Sequence, residues 1–159
     1  MRDEAKPGST NRTDKYSGLW AALWWALALA YPAVLVVASV RPEFGADVTR
    51  ALVERLLPTL GSRQVHVIVL SVRKAGHLLG YFLFAMILTN AFLCFTRPPR
   101  SRMSRVIACT AAGLVAVAVA GMDEYIQLGT AFRSGTRQDV LIDSMGVVAS
   151  IGWRLRRGK

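Results

Sequence analysis

The sequence predicts an all-α integral membrane protein: a bundle of four transmembrane helices with an interfacial amphipathic helix between the first and second. Residues 19–40 and 106–122 contain no Asp, Glu, Lys, Arg or His, and residues 75–96 contain only His77. Runs of about 20 apolar residues suffice to cross a hydrocarbon core of roughly 30 Å. Basic tracts flank these runs rather than mixing with them. For a chain of 159 residues, a hydrophobic content of 53% and a mean hydropathy of +0.35 are high for a soluble domain.

Residues 1–18 mix Arg2, Lys6, Arg12 and Lys15 with Asp3, Glu4 and Asp14 and lack apolar periodicity, which predicts a disordered cytoplasmic tail. A cleaved signal peptide would open similarly. The apolar run that follows exceeds the usual h-region of about 7–15 residues, so a retained helix over 19–40 is expected. Trp20, Trp24 and Trp25 suit an interfacial belt, and Pro32 predicts a local kink that a bundle tolerates.

Between residues 41 and 72, Val48, Leu52 and Leu56 with Val53, Leu57 and Leu60 recur at helical spacing around Arg50, Glu54 and Arg55. That pattern predicts an amphipathic helix lying in the membrane interface, ended by Pro58 and Gly61. The second transmembrane helix is expected over about 68–96 and carries Arg73, Lys74, His77 and Tyr81 near its start. Its Gly76 and Gly80 form a small-xxx-small pair that allows close helix packing. Pro98 and Pro99 then force a turn among Arg97, Arg100 and Arg102.

A third helix over about 104–124 is rich in Ala and Val and ends at Asp123 and Glu124. A polar loop follows, and a fourth helix over about 138–153 is interrupted by Asp143. This last run is short for a span and must borrow flanking residues, including Asp139, or sit in a thinned bilayer. Residues 19–153 thus form the membrane domain, and 154–159 a basic cytoplasmic tail.

Four spans put the N-terminal segment, the 97–105 loop and the C-terminal tail on one side. That side carries most of the Lys and Arg, from Arg2 to Lys15, Arg97 to Arg105 and Arg154 to Lys159, against only Asp3, Glu4 and Asp14. The positive-inside rule makes it cytoplasmic, in a multi-pass protein of the cell membrane with both termini inside. The net charge of +10 therefore reads as topology. No aromatic-basic interleaving or recognition helix accompanies it, so no nucleic-acid partner is expected.

Arg73, His77 and Tyr81 share one helix face, with Lys74 beside them. Asp123 and Gln127 share another if their helix continues, and Asp139, Asp143, Gly146 and Ser150 a third. All three faces fall at the extracytoplasmic ends of their helices. Ionisable groups at membrane depth cost roughly 2.5–3.5 kcal/mol each on insertion scales, so they turn inward and pair. Asp123 and Glu124 near a helix C-terminus, and Arg73 and Lys74 near an N-terminus, each oppose their helix dipole and are expected to compensate one another across the bundle.

In order along the chain, RKAGHLLGYFLF at 73–84, DEYIQ at 123–127, RSG at 133–135 and DVLIDSMG at 139–146 resemble the VanZ-like family of bacterial membrane proteins. Position by position, Lys74, His77, Tyr81, Asp123, Glu124, Gln127, Arg133, Asp139, Asp143 and Gly146 match that family's characteristic polar positions. Ile126 stands where many members carry His, and Ala131-Phe132 where they carry Pro-Gly. The resemblance implies a small multi-pass envelope protein, with a link to low-level tolerance of the glycopeptide teicoplanin.

Three functions compete with a purely structural ion-pair network that holds four helices in register. The first is an outward-facing pocket for an anionic group of a membrane lipid or lipid-linked envelope precursor, bound by Arg73, Lys74 and Arg133 and oriented by Asp123, Glu124, Asp139 and Asp143. A second is a membrane hydrolase or transferase acting at phosphate, with His77 relaying a proton; no nucleophile motif accompanies it. The third is a small transporter or proton relay, since intramembrane carboxylates mark such paths. Cys94 and Cys109 lie inside apolar runs without paired Cys/His spacing, so neither a metal nor another cofactor is expected. The first of these functions is the favoured one.

Overall fold

A computed structural model describes residues 10–41, 46–95, 101–128 and 137–157. Among them all regular structure is α-helical: α1 (Thr10–Val40), α2 (Ala46–Leu56), α3 (Ser62–Leu93), α4 (Arg102–Leu128) and α5 (Arg137–Arg157).

The packing is inside-out. Large apolar side chains such as Leu29, Leu114, Met122, Leu141 and Val148 face outward, an apolar exposure that soluble monomers avoid. The buried centre holds Tyr81, Phe84, Ala85 and Leu88 of α3, Ala112, Ala116 and Ala120 of α4, and Val147 of α5. The alanines recur every four residues, so α4 offers a smooth ridge against which its neighbours close. Small residues serve that purpose in membranes, where lipid tails already satisfy apolar surface and packing contact must drive association.

Side-chain contacts fix the helix directions. Tyr31 stacks on Phe84 at 5.9 Å, and Trp25 meets Phe92 edge-on at 5.4 Å, so α1 runs antiparallel to α3. Tyr81 bonds Asp123 near the end of α4, while Gly113, earlier in α4, lies against Ile151 near the end of α5, which sets α4 antiparallel to α3 as well. Arg73 meets Asp139, His77 meets Asp143 and Asn90 meets Arg154, so α5 runs parallel to α3 in constant register. Chain direction therefore alternates through α1, α3, α4 and α5.

Among the described residues, three helical segments are long and apolar enough to cross a membrane: Gly18–Ala38, Ser62–Leu93 and Arg102–Gln127. Helix α5 is not one of them, because Asp139, Asp143 and Arg154 lower its hydropathy. Its 21 residues nevertheless rise about 31 Å, well beyond the length expected for residues 138–153. Helices also run past other expected ends. Helix α1 begins at Thr10 rather than 19, with residues 1–9 outside the described segments, and α4 continues through Leu128. Helix α3 begins at Ser62, where the Gln64 side chain accepts the Gly61 amide at 3.0 Å. Arg73 and Lys74 are consequently mid-helix, and the dipole penalty expected for them does not apply.

The early start makes α3 about 48 Å long for its 32 residues, longer than the membrane core alone requires. Its first turns carry α2, whose Val53 packs on Val65 and Val69 while Val48, Leu52 and Leu56 stay exposed. Asp47 in the first turn and Arg55 in the last suit the α2 dipole.

Candidate functional site

Helices α3, α4 and α5 bring the predicted polar faces together at one end of the bundle. Three rows at four-residue spacing meet: Arg73, His77 and Tyr81; Asp123 and Gln127; Asp139 and Asp143. The register follows from Gly146, one turn beyond Asp143. A β-carbon there would fall on the Leu78 carbonyl oxygen of α3, so only glycine lets the two backbones close to this distance.

Around Asp123 the contacts are hydrogen bonds. The Tyr81 hydroxyl donates to its Oδ2 at 3.3 Å and the Gln127 amide donates to the same oxygen at 3.0 Å. All three residues are almost fully buried. Around α5, Arg73 forms an ion pair with Asp139 at 3.5 Å, and His77 Nδ1 lies 3.3 Å from Asp143 Oδ1. Glu124 stands among these groups within the reach of Asp139, Asp143, Asp123 and His77. It is 8% exposed, and its Oε1 has no hydrogen-bond partner among the described residues.

The other expected members sit differently. Lys74 is exposed and no hydrogen bond or ion pair joins it to the cluster among the described residues; the 100° step from Arg73 turns it outward. Arg133 lies outside the described residues. The glycine pair also divides: a β-carbon on Gly80 would meet Leu35 of α1 at 3.0 Å, while one on Gly76 would meet nothing within 4 Å. The described interior is thus rich in acid, with four buried carboxylates against Arg73 and a titratable imidazole.

A second interhelical cluster at the opposite end was not singled out from sequence. Arg154 of α5 donates to the Asn90 side chain of α3, and beside it lie the buried Thr89, whose hydroxyl donates to the Ala85 carbonyl oxygen, and the buried Cys109 of α4. Asn90, a lone amide within an apolar run, was the available signal.

Chemically, the first cluster can exchange protons and hold cationic or hydrogen-donating groups. Among the described residues no group of three or more His, Cys, Asp and Glu side chains is arranged to hold a metal ion. No family model, curated protein or solved structure matches the chain.

Proposed function

We propose that the protein is a four-span envelope membrane protein whose acid-rich cluster binds the ammonium-bearing headgroup of a membrane phospholipid or lipid-linked precursor. The carrying observation is Glu124: a carboxylate oxygen buried among three further carboxylates, without a hydrogen bond from any described residue. A buried acceptor left unpaired costs about 1–3 kcal/mol, more when charged. A primary ammonium supplies both the missing donors and the missing positive charge. Arg73, and Lys74 from its exposed position, would then face the phosphate that accompanies the amine.

The constant register of α5 with α3 supports a fourth span. From Asp139 to Arg154, α5 follows Arg73 to Asn90 over about 22 Å, so whatever depth α3 crosses there α5 crosses too. Orientation follows from charge. Every carboxylate whose side chain is described lies at the cluster end or on α2, while Arg102, Arg105, Arg154, Arg156 and Arg157 gather at the other end. The arginine end is cytoplasmic on the positive-inside rule, and the cluster faces outward. Helix α2, with its exposed apolar row, lies in the outer interface. The motif resemblance to VanZ-like proteins accords with this envelope role. On that reading, loss of the protein lowers teicoplanin tolerance, which a susceptibility test of a deletion strain checks.

Native mass spectrometry of the purified protein tests the headgroup assignment. The part of the retention that Glu124→Gln removes is expected to favour phosphatidylethanolamine over phosphatidylcholine, whose quaternary ammonium has no N–H donor, and over phosphatidylglycerol, which has no amine. Glu124→Gln should weaken that retention about ten-fold, the loss corresponding to one charge-assisted hydrogen bond. Equal retention by wild type and Glu124→Gln would overturn the assignment.

A further inference from the structure

The arginine end of the bundle has the opposite electrostatics and a different occupant. Arg154 is half-buried between α3 and α5 and bonds only a neutral partner, Asn90 Oδ1. Arg105, one turn into α4 and also half-buried, shares a face of α4 with the buried Cys109 four residues on, at the same end of the bundle as Arg154. Neither arginine forms an ion pair among the described residues. Two half-buried guanidinium groups therefore stand at this end of the bundle without a carboxylate partner among the described residues, where carboxylates would ordinarily be expected.

These arginines lie at the depth of a lipid headgroup. Asn90 is three residues from the end of α3, and Arg105 three from the start of α4. Beside them on α5, Trp153 is exposed and carries the Arg157 guanidinium 4.1 Å from its ring centroid. Tryptophans and cations in that arrangement belong to the membrane-water interface. Arg102 and Arg105 also stand in the first turn of α4, where the helix dipole disfavours positive charge and attracts an anion.

We infer that these arginines form a phosphate site for an anionic phospholipid, held by Arg154 and Arg105 with Arg102 beside them. Guanidinium groups suit the task, because their planar donors grip phosphate oxygens in pairs. Asn90 then aims Arg154 rather than neutralising it. The site lies in the leaflet opposite the acid cluster and does not depend on what that cluster binds.

The test is native mass spectrometry of the detergent-purified full chain supplied with dioleoyl phosphatidylglycerol or dioleoyl phosphatidylcholine. Wild type should retain phosphatidylglycerol preferentially, and added salt should erode that preference. Arg105→Gln should lower retention about five-fold, the value of one basic residue at an anionic surface, and Arg105→Gln with Arg154→Gln further still. Arg154→Lys, which keeps charge but loses planar geometry, should fall between. Asn90→Ala should lower retention without changing the sign of the preference. Equal binding of the two lipids by wild type, or unchanged retention in the Arg105→Gln protein, would overturn the site. The Arg105 side chain makes no hydrogen bond or ion pair to another helix among the described residues, so its variant answers the question even if the Arg154 variants unfold. Glycerol phosphate supplied in place of lipid should not displace bound phosphatidylglycerol; displacement at equal concentration would sink the lipid assignment in favour of a soluble anion.

Discussion

Helices α1 and α5 invert the usual relation between apolar character and burial. Helix α1 contains a run of mean hydropathy 2.0 of which 6% is buried. Helix α5 carries Asp139, Asp143, Ser150 and Arg154, yet it closes against both α3 and α4, and its Asp143, Val147 and Ser150 are almost fully buried. In water the more apolar helix would hold the centre. In a bilayer, lipid satisfies α1 on nearly all sides, and it is the ionisable helix that must be enclosed. Polarity in α5 therefore marks the interior of the bundle, and hydropathy reports contact with lipid.

The comparison is broken most sharply at Gly146. Gly146→Leu places a side chain into the α3 backbone at Leu78, where no rotamer relieves the overlap. We expect a loss of about 3 kcal/mol or more, at the upper end of overpacking effects. Reversible unfolding in mixed micelles measures it; a loss below 1 kcal/mol would mean that α5 docks elsewhere. An equally bulky change on the exposed face of α1, Ala30→Leu, should be nearly silent in the same assay.

A smaller effect is expected at Tyr81→Phe, which removes a donor to the buried Asp123. Interhelical hydrogen bonds in membranes are worth about 0.6 kcal/mol on average and up to about 2. Because Tyr81 is fully buried we expect about 1–2 kcal/mol, with the Gln127 contact retained. Infrared bands of the Asp123 carboxyl should shift in the same variant. If stability and the carboxyl band both match wild type, the hydroxyl and Asp123 are not partners.

The three faces of the cluster were legible because helical spacing alone places Arg73, His77 and Tyr81 in one row and Asp139 and Asp143 in another. Membrane depth then leaves such rows little choice but to meet. Lys74 was not legible. Adjacent residues on a helix diverge by 100°, and the sequence does not say which of Arg73 and Lys74 turns inward. Helix ends were misjudged for a related reason: Arg63, Gln64 and His66 before the expected second span, and Arg154, Arg156 and Arg157 after the last, were left outside the helices, although nothing in them stops a helix. The pairing of Asn90 with Arg154 joins positions 64 apart, and no local pattern announces it.

Gly76 and Gly80 carry the comparison to its smallest scale, within one motif. Spacing qualifies both for close packing, but only Gly80 has a neighbour, the flexible end of Leu35, at 3.0 Å from an added β-carbon. Leu35 can yield by a few tenths of an ångström, so Gly80→Ala should cost less than about 1 kcal/mol. Gly76→Ala should have the opposite sign. With open space around it, alanine gains helix propensity of up to about 1 kcal/mol over glycine. Thermal unfolding of the two variants side by side checks the difference. A loss at Gly76 equal to that at Gly80 would require a second helix against that face, which a single copy of the chain does not supply.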